Sequence, residues 1–152
     1  MTDASPPAPD LIEPVVGFRN WRIVDGTLTS PYAGTAWHEP LLCARCLGGE
    51  HEAPHPGCDC GVSAYHDPQV RFSTVDFRGV SGIVTLWGRV EVHPDRMRAE
   101  FARVEALALY SRWSARQRNE VTTVARRLGV DLVDLHEQEA AAAGYGAALA
   151  PG

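Results

Sequence analysis

The sequence predicts an α+β fold, with a small antiparallel sheet, a loop region held by its own side chains, and a C-terminal helical pair. Apolar and polar residues alternate from Val80 to His93, the period of a strand with one buried face. Apolar residues recur with helical spacing from Ser114 to Leu128, and Gly129 follows as a natural helix stop. All four cysteines lie within residues 43–60, and the surrounding segment, residues 30–69, is too rich in proline and glycine to pack alone.

The chain length sets the expected domain organisation. Its 152 residues suffice for one domain with a hydrophobic core. Residues 1–11, rich in proline, alanine and aspartate, are expected to be a disordered leader. Residues 12–139 are expected to form a single domain. Residues 140–152, nearly all alanine and glycine, are expected to be a frayed helix end followed by a loose tail.

Charge and hydropathy limit the class of protein. The net charge is −5, which argues against bulk attraction to nucleic acid or membrane. All 14 basic residues are arginine, so no single arginine stands out by its type. No apolar run has the length of a transmembrane helix, and the N-terminus lacks the features of a secretory signal. We therefore expect a cytoplasmic protein with reduced cysteines. In that compartment, paired cysteines bind metal or carry out redox chemistry more often than they form structural disulfides.

The first half of the chain predicts short strands. Phe18–Val24 is a predicted strand, Asp25–Gly26 is a hairpin turn, and Thr27–Thr29 returns from it. Val70–Val75 is predicted to be a further strand.

The second half predicts one long hairpin and two helices. Val80–His93 is its first strand, in which Gly88 indicates a bulge or a close backbone approach. Residues 97–109 fit either a helical face or a strand, but His93–Arg96 suits a four-residue loop. We therefore expect the hairpin to continue through about Val104.

The C-terminal segment predicts a helical pair. Ser114–Leu128 is the first helix, and Asp131 is expected to cap a second one running from Leu132 to about Ala143. The residues of the first helix expected to face the core are Val121, Val124, Ala125 and Leu128.

The cysteines form two close pairs, Cys43-x-x-Cys46 and Cys58-x-Cys60. Zinc prefers thiolate and imidazole ligands in a tetrahedral arrangement, and structural sites close all four positions with protein side chains. Coordination of Zn²⁺ by all four thiolates is our first choice, which predicts a zinc-stapled loop region. Four unliganded reduced thiols are disfavoured, because a polar, proline-rich segment would not bury them.

His51 supplies a competing ligand set, together with Cys58, Cys60 and one of Cys43 or Cys46. His55 and His66 are weaker ligand choices, because each adjoins a turn that contains proline. An iron–sulfur cluster also takes four thiolates, but nothing in the sequence indicates an electron-transfer partner.

A structural role for the metal is favoured over a catalytic one. A catalytic zinc needs an open coordination position and a nearby general base. The dipeptides His38-Glu39 and His51-Glu52 do not reproduce the motifs of zinc deaminases or metalloproteases. No catalytic residue is assigned.

Two surface features indicate a protein partner. Trp87 lies on the face of its strand opposite the valines and is a candidate binding anchor. Most tryptophans are buried in the core, which is the alternative. Arg112 and Arg116 are expected to lie on a basic face that suits an acidic partner.

Residues 121–135 also match the spacing of a helix-turn-helix. The second helix of such a motif would carry acidic residues and no arginine, and phosphate would repel it. A helical hairpin is therefore favoured over a DNA-binding motif.

The chain resembles a set of small actinobacterial and phage-associated proteins. The matching pieces are Gly17–Trp21, His51–Pro54 leading to Cys58–Gly61, Leu86–Val90 and Arg98–Ala102. The resemblance implies a hairpin for the last two pieces. It also favours the His51 ligand set, since the His-x-x-Pro and Cys-x-Cys-Gly elements occur together. It implies no activity.

The sequence thus predicts a zinc-containing binding or adaptor module whose metal is structural and whose partner is another protein. The alternatives are a small metalloenzyme or redox protein that uses the cysteine and histidine cluster, and a DNA-binding regulator that uses the C-terminal helices.

Overall fold

The computed structural model describes residues 10–30, 35–44, 51–55, 57–58, 60–68 and 79–149. These residues form one eight-stranded sheet and two α-helices, so the α+β class is confirmed. The sheet was predicted to be small and antiparallel, but it is mixed, because its last strand pairs in parallel. The strands are β1 (Asp10–Val24), β2 (Thr27–Thr29), β3 (Ala36–Trp37), β4 (Leu41–Cys43), β5 (Val62–Tyr65), β6 (Gly79–Val92), β7 (Arg96–Leu109) and β8 (Asp131–Asp134). The helices are α1 (Ala115–Leu128) and α2 (Gln138–Ala142), and a 3-10 turn (Leu135–Glu137) precedes α2.

Four of the strands close into a ring. β1 pairs antiparallel with β6, β6 with β7, and β7 with β5. Phe18 of β1 opposes Tyr65 of β5 and completes the ring. All four strands contribute to the main apolar core, which includes Trp21, Ala64 and Met97. α1 packs on the same core with the four side chains predicted from its spacing.

The predicted long hairpin is confirmed, and it continues to Leu109. Residues 80–86 of β6 are buried on both faces, because a smaller cluster around Ile83 packs on the side opposite the main core. Gly88 has a φ of +75° and lies where the pairing register shifts between Trp87 and Val90, so the predicted bulge is confirmed.

The first hairpin is also confirmed, with a longer first strand than expected. β1 begins at Asp10, inside the segment predicted to be a leader, and residues 1–9 lie outside the described part. Asp25 and Gly26 both have positive φ, as a two-residue hairpin turn requires. The predicted strand Val70–Val75 also falls outside the described residues.

Helix α1 has caps at both ends. Ser114 and Gln117 form a reciprocal capping box at its start. Gly129, with a φ of 70°, ends it and donates its backbone N–H to carbonyls of the last turn. Within the described residues, no helix is long and apolar enough to cross a membrane.

The second C-terminal helix was predicted to begin at Leu132, but residues 132–134 belong to a strand. The helix-turn-helix spacing, which required a helix there, is therefore not realised. Asp131–Asp134 form β8, which pairs in parallel with Ala106–Leu109 of β7. The backbone groups on this edge of β7 need partners, and pairing there outweighs the local helical preference. The cap is Asp134 rather than the predicted Asp131. The Asp134 side chain accepts a hydrogen bond from the His136 N–H at 2.8 Å at the start of the 3-10 turn.

The alanine- and glycine-rich tail is hydrogen-bonded to the sheet where the structure describes it. The Val16 N–H donates to the Ala147 carbonyl at 2.7 Å, and Ala147 forms a parallel bridge with Val15 of β1. The Tyr145 hydroxyl donates to Asp131 Oδ2 at 2.6 Å and ties the tail to β8.

Replacing Tyr145 by phenylalanine is expected to lower the free energy of unfolding by less than about 1 kcal/mol near neutral pH, since the hydrogen bond is exposed. Desolvation, then the hydrogen bond to Asp131, raises the pKa of Tyr145 to about 12. The protonated phenol is favoured in the folded state. Its contribution is therefore present below the unfolded pKa of about 10 and is lost as the pH rises toward 12.

Urea unfolding of the wild type and Tyr145→Phe across this alkaline range checks the prediction. The two curves should converge as the pH rises. A difference that stays constant would show that the hydroxyl proton is not responsible.

Candidate metal centre

The loop that carries the cysteines begins and ends at neighbouring positions on one edge of β7. β4 places Cys43 opposite Phe101, and β5 places Val62 opposite Ala99. Both strands pair with the edge of β7 that faces away from β6. Since residues two apart on a strand are separated by about 7 Å, residues 44–61 leave and rejoin the sheet almost at the same point. We call residues 44–61 the cysteine loop.

Backbone geometry shapes the end of this loop. The Cys58 N–H donates to the His55 carbonyl at 3.1 Å, in a turn where Gly57 has a φ of +80°. Gly61 has a φ of +112°, and a Cβ there would lie 3.1 Å from the Cβ of Arg98 and 3.2 Å from that of Pro54. Glycine after Cys60 is therefore required both for its conformation and for the close approach to β7.

Two arginines of the β6–β7 hairpin hold the loop against the sheet. Arg98 Nη1 donates to the Cys58 carbonyl at 3.1 Å. Arg89 Nη1 lies 2.7 Å from a carboxylate oxygen of Glu52. Sequence reasoning missed both contacts, because they depend on how the hairpin lies against the loop.

The structure brings together His51, Cys58 and Cys60. Their ligand atoms all lie within 4.8 Å of one another, and all three residues are half-buried. Cys60 Sγ is 3.4 Å from His51 Nε2. Around a tetrahedral ion with bonds of about 2.3 Å to sulfur and 2.0 Å to nitrogen, ligand atoms are about 3.5–3.8 Å apart. The group can therefore hold a metal ion after small adjustments.

Three members of the His51 ligand set, His51, Cys58 and Cys60, are thus adjacent. The four-thiolate set is only partly assembled, because Cys43 does not join Cys58 and Cys60. Cys43 is exposed on β4 and is not a member of the group. Cys46 lies outside the described residues. The four-thiolate arrangement, our first choice, therefore has no support from Cys43 in this structure.

Neither of the two weaker histidine choices belongs to the group. His55 is exposed and stacks on His51, with ring centroids 4.2 Å apart, but it contributes no ligand atom to the group. His66 lies beyond β5, and its Nε2–H donates to the His93 carbonyl at 2.7 Å.

The predicted partner-binding residues occupy different surfaces. Trp87 is half-buried and stacks on Phe101, with ring centroids 5.7 Å apart, so it is less exposed than a free binding anchor. Arg112 and Arg116 are both exposed around the start of α1.

The donor set of the centre is two sulfur atoms and one imidazole nitrogen. Such donors suit transition-metal ions, whereas calcium and magnesium take oxygen ligands. No carboxylate of the described residues belongs to the group. Comparison of the chain with protein-family models, with curated proteins and with solved structures finds no significant match.

Proposed function

We propose that the protein is a zinc-containing binding module in which a structural zinc ion fixes the cysteine loop on the sheet and prepares that surface for a protein partner. The observation that supports it most directly is the convergence of His51, Cys58 and Cys60 within 4.8 Å. Two thiolates and an imidazole make up three of the four ligands of a Cys₃His zinc site, and one further cysteine would complete it.

The fourth ligand would come from the other end of the loop. Cys43 ends β4, and the Ala44 N–H donates to the Glu100 carbonyl at 2.8 Å, beside the point where the loop rejoins β7. Cys46 follows three residues later in the sequence. One of these two thiols would therefore be the fourth ligand of a closed site.

The surroundings support a structural ion rather than a catalytic one. A hydrolytic zinc needs a general base within reach of its bound water. Glu52, the carboxylate next to His51 in the sequence, is engaged by Arg89 at 2.7 Å. The Glu52 carboxylate therefore forms an ion pair that holds the loop against β6.

Exposed side chains near the loop and on α1 support a protein partner. Leu41, at the start of β4, is 48% exposed. Arg112 and Arg116 present positive charge on a chain whose net charge is −5. The two arginines suit an acidic segment of a partner protein, by complementarity of charge.

Metal content tests the proposal. Purified protein is expected to contain about one zinc per chain, and Cys58→Ser, Cys60→Ser and His51→Ala are expected to lose most of it. Of Cys43→Ser and Cys46→Ser, one should lose the ion and the other should retain it. His55→Ala is the matched control, since it removes the stacked imidazole and leaves the three ligands in place.

Two outcomes would contradict the zinc assignment. One is a brown protein with charge-transfer absorption, which would indicate an iron–sulfur cluster. The other is metal-free protein with the same protease resistance before and after zinc is added. The partner is tested separately, by comparing proteins captured from the host by the wild type and by an Arg112→Glu, Arg116→Glu double variant that retains zinc.

A further inference from the structure

Arg19 of β1 lies away from the metal centre and extends into apolar surroundings. Its guanidinium carbon lies 5.4 Å from the centre of the Trp37 ring. Trp37 is buried and packs edge-on against Trp21, with ring centroids 5.6 Å apart. The charged group of Arg19 is therefore held against the tryptophans of the main core.

Most of the hydrogen-bonding capacity of this guanidinium is unused by the described residues. Nη1 donates to the Ser63 carbonyl at 2.6 Å and Nη2 to Ser30 Oγ at 2.7 Å. Nε is buried and has no hydrogen-bond partner. A guanidinium carries five N–H donors, so three are left without a partner in the described part of the chain.

The positive charge is likewise uncompensated there. Among the described residues, no carboxylate forms an ion pair with Arg19. Burial lowers the pKa of Arg19 to about 10, so the group still carries its charge at neutral pH. A half-buried cation without a counter-charge is favourably placed to bind an anion, which would offset part of the cost of removing the charge from water.

Ser30 adds a further donor at the same place. Its Oγ accepts from Arg19 Nη2 and also from the Trp37 indole N–H at 3.2 Å. With both lone pairs engaged, the hydroxyl can only donate its own hydrogen. The neighbouring groups thus present donors and positive charge, which is complementary to an oxyanion.

We propose that Arg19 and Ser30 form a binding site for a small oxyanion, a carboxylate or phosphate group, which supplies the missing counter-charge. Arg19 is only partly buried and lies one residue from the Phe18–Tyr65 pair that closes the ring of strands. Because its side chain is partly exposed, an anion can reach it from solvent. The site is independent of the metal centre and of the function proposed for it.

Titration with inorganic phosphate and, separately, with acetate tests the site, with sodium chloride at matched ionic strength as the reference. The Trp37 indole N–H is the reporter in NMR spectra, because it donates to Ser30. We expect one of the two anions to shift this resonance saturably and to raise the unfolding temperature. The anion that does so identifies the site as one for phosphate or for carboxylate groups.

Arg19→Met should weaken this binding by at least about tenfold, the loss expected from one charge-assisted hydrogen bond. In the absence of anion it should be as stable as the wild type or more so, because it replaces an uncompensated charge with an apolar chain of similar length. Arg22→Met is the matched control. Arg22 is exposed on the same strand, so its loss should leave anion binding intact.

Three results would overturn the proposal. The first is that the Trp37 resonance of the wild type responds to neither anion. The second is that Arg19→Met binds the anion as well as the wild type does. The third is that sodium chloride produces the same response. If Arg19→Met fails to fold, Ser30→Ala keeps the cation and should still weaken binding. Unchanged affinity in Ser30→Ala would then be the contrary result.

Discussion

Cys60→Ser is expected to release the metal ion and open the cysteine loop while the ring of strands stays folded. The main core collects side chains from β1, β5, β6 and β7, and none of the three ligands belongs to it. The proposed ion would therefore stabilise the loop and its contacts with β7 rather than the whole domain. A ligand present at about a thousand times its dissociation constant contributes about 4 kcal/mol, which sets the size of the expected loss.

Hydrogen exchange and limited proteolysis measure this effect directly. Protection should fall in the described part of the cysteine loop and in β4 and β5, while α1 and the β6–β7 hairpin keep theirs. A chelator should change the wild type in the same way and should have no further effect on Cys60→Ser. His55→Ala serves again as the control that keeps all three ligands.

Two opposite results would refute this account. Loss of near-ultraviolet circular dichroism from Trp21 and Trp37 would mean that the ion supports the entire fold. An unchanged protease pattern in both Cys60→Ser and chelated wild type would mean that it supports nothing.

The second large effect is expected at Gly82, in the middle of β6. Its neighbours on the two sides are Arg19 of β1 and Leu107 of β7. A Cβ at this position would lie 2.5 Å from the Ala106 carbonyl oxygen and 2.8 Å from the Trp21 ring. Neither neighbour can move cheaply, since one is sheet backbone and the other is a buried indole.

Gly82→Ala is therefore expected to destabilise the protein by about 3 kcal/mol, the upper part of the usual range for overpacking, and Gly82→Val by more. Urea unfolding gives the values. Gly144→Ala is the matched control, because its added Cβ would meet only the Ala141 carbonyl at an ordinary 3.4 Å. Gly129→Ala has open space but a φ of +70°, so it should cost about 1 kcal/mol.

The comparison separates crowding from backbone strain. Suppose that Gly82→Ala lowered the free energy of unfolding no more than Gly144→Ala. The packing around Gly82, between β1 and β7, would then have to be looser than the distances indicate.

The sequence predicted the elements whose pattern is local. The β6–β7 hairpin follows from alternation and a four-residue loop, and α1 follows from helical spacing with Ser114 and Gly129 at its ends. The strand β8 could not be predicted in this way. Residues 131–134 are equally acceptable in a helix, and they are extended because the edge of β7 is free to pair with them.

The candidate centre was predicted in part. The spacing of Cys58, Cys60 and His51 indicated that they could share an ion, and the structure places them together. Spacing alone could not rank His51 against Cys43, because that depends on where β4 and β5 attach to β7. Nor could it show that Arg98 and Arg89 hold the loop, since every cation of the chain is an arginine and none stands out by type.

The shared edge of β7 has a consequence for the order in which the molecule assembles. Three separate segments pair along it, β5 at residues 96–99, β4 at 101–103 and β8 at 106–109. During synthesis, β4 and β5 leave the ribosome more than thirty residues before the strand that they must pair with. Because contacts so distant in sequence form late, we expect the local β6–β7 hairpin to form before β4 and β5 pair with it. On this order of assembly the thiols of the cysteine loop stay reduced and accessible until the β6–β7 hairpin exists, and the proposed metal ion would complete the fold rather than start it.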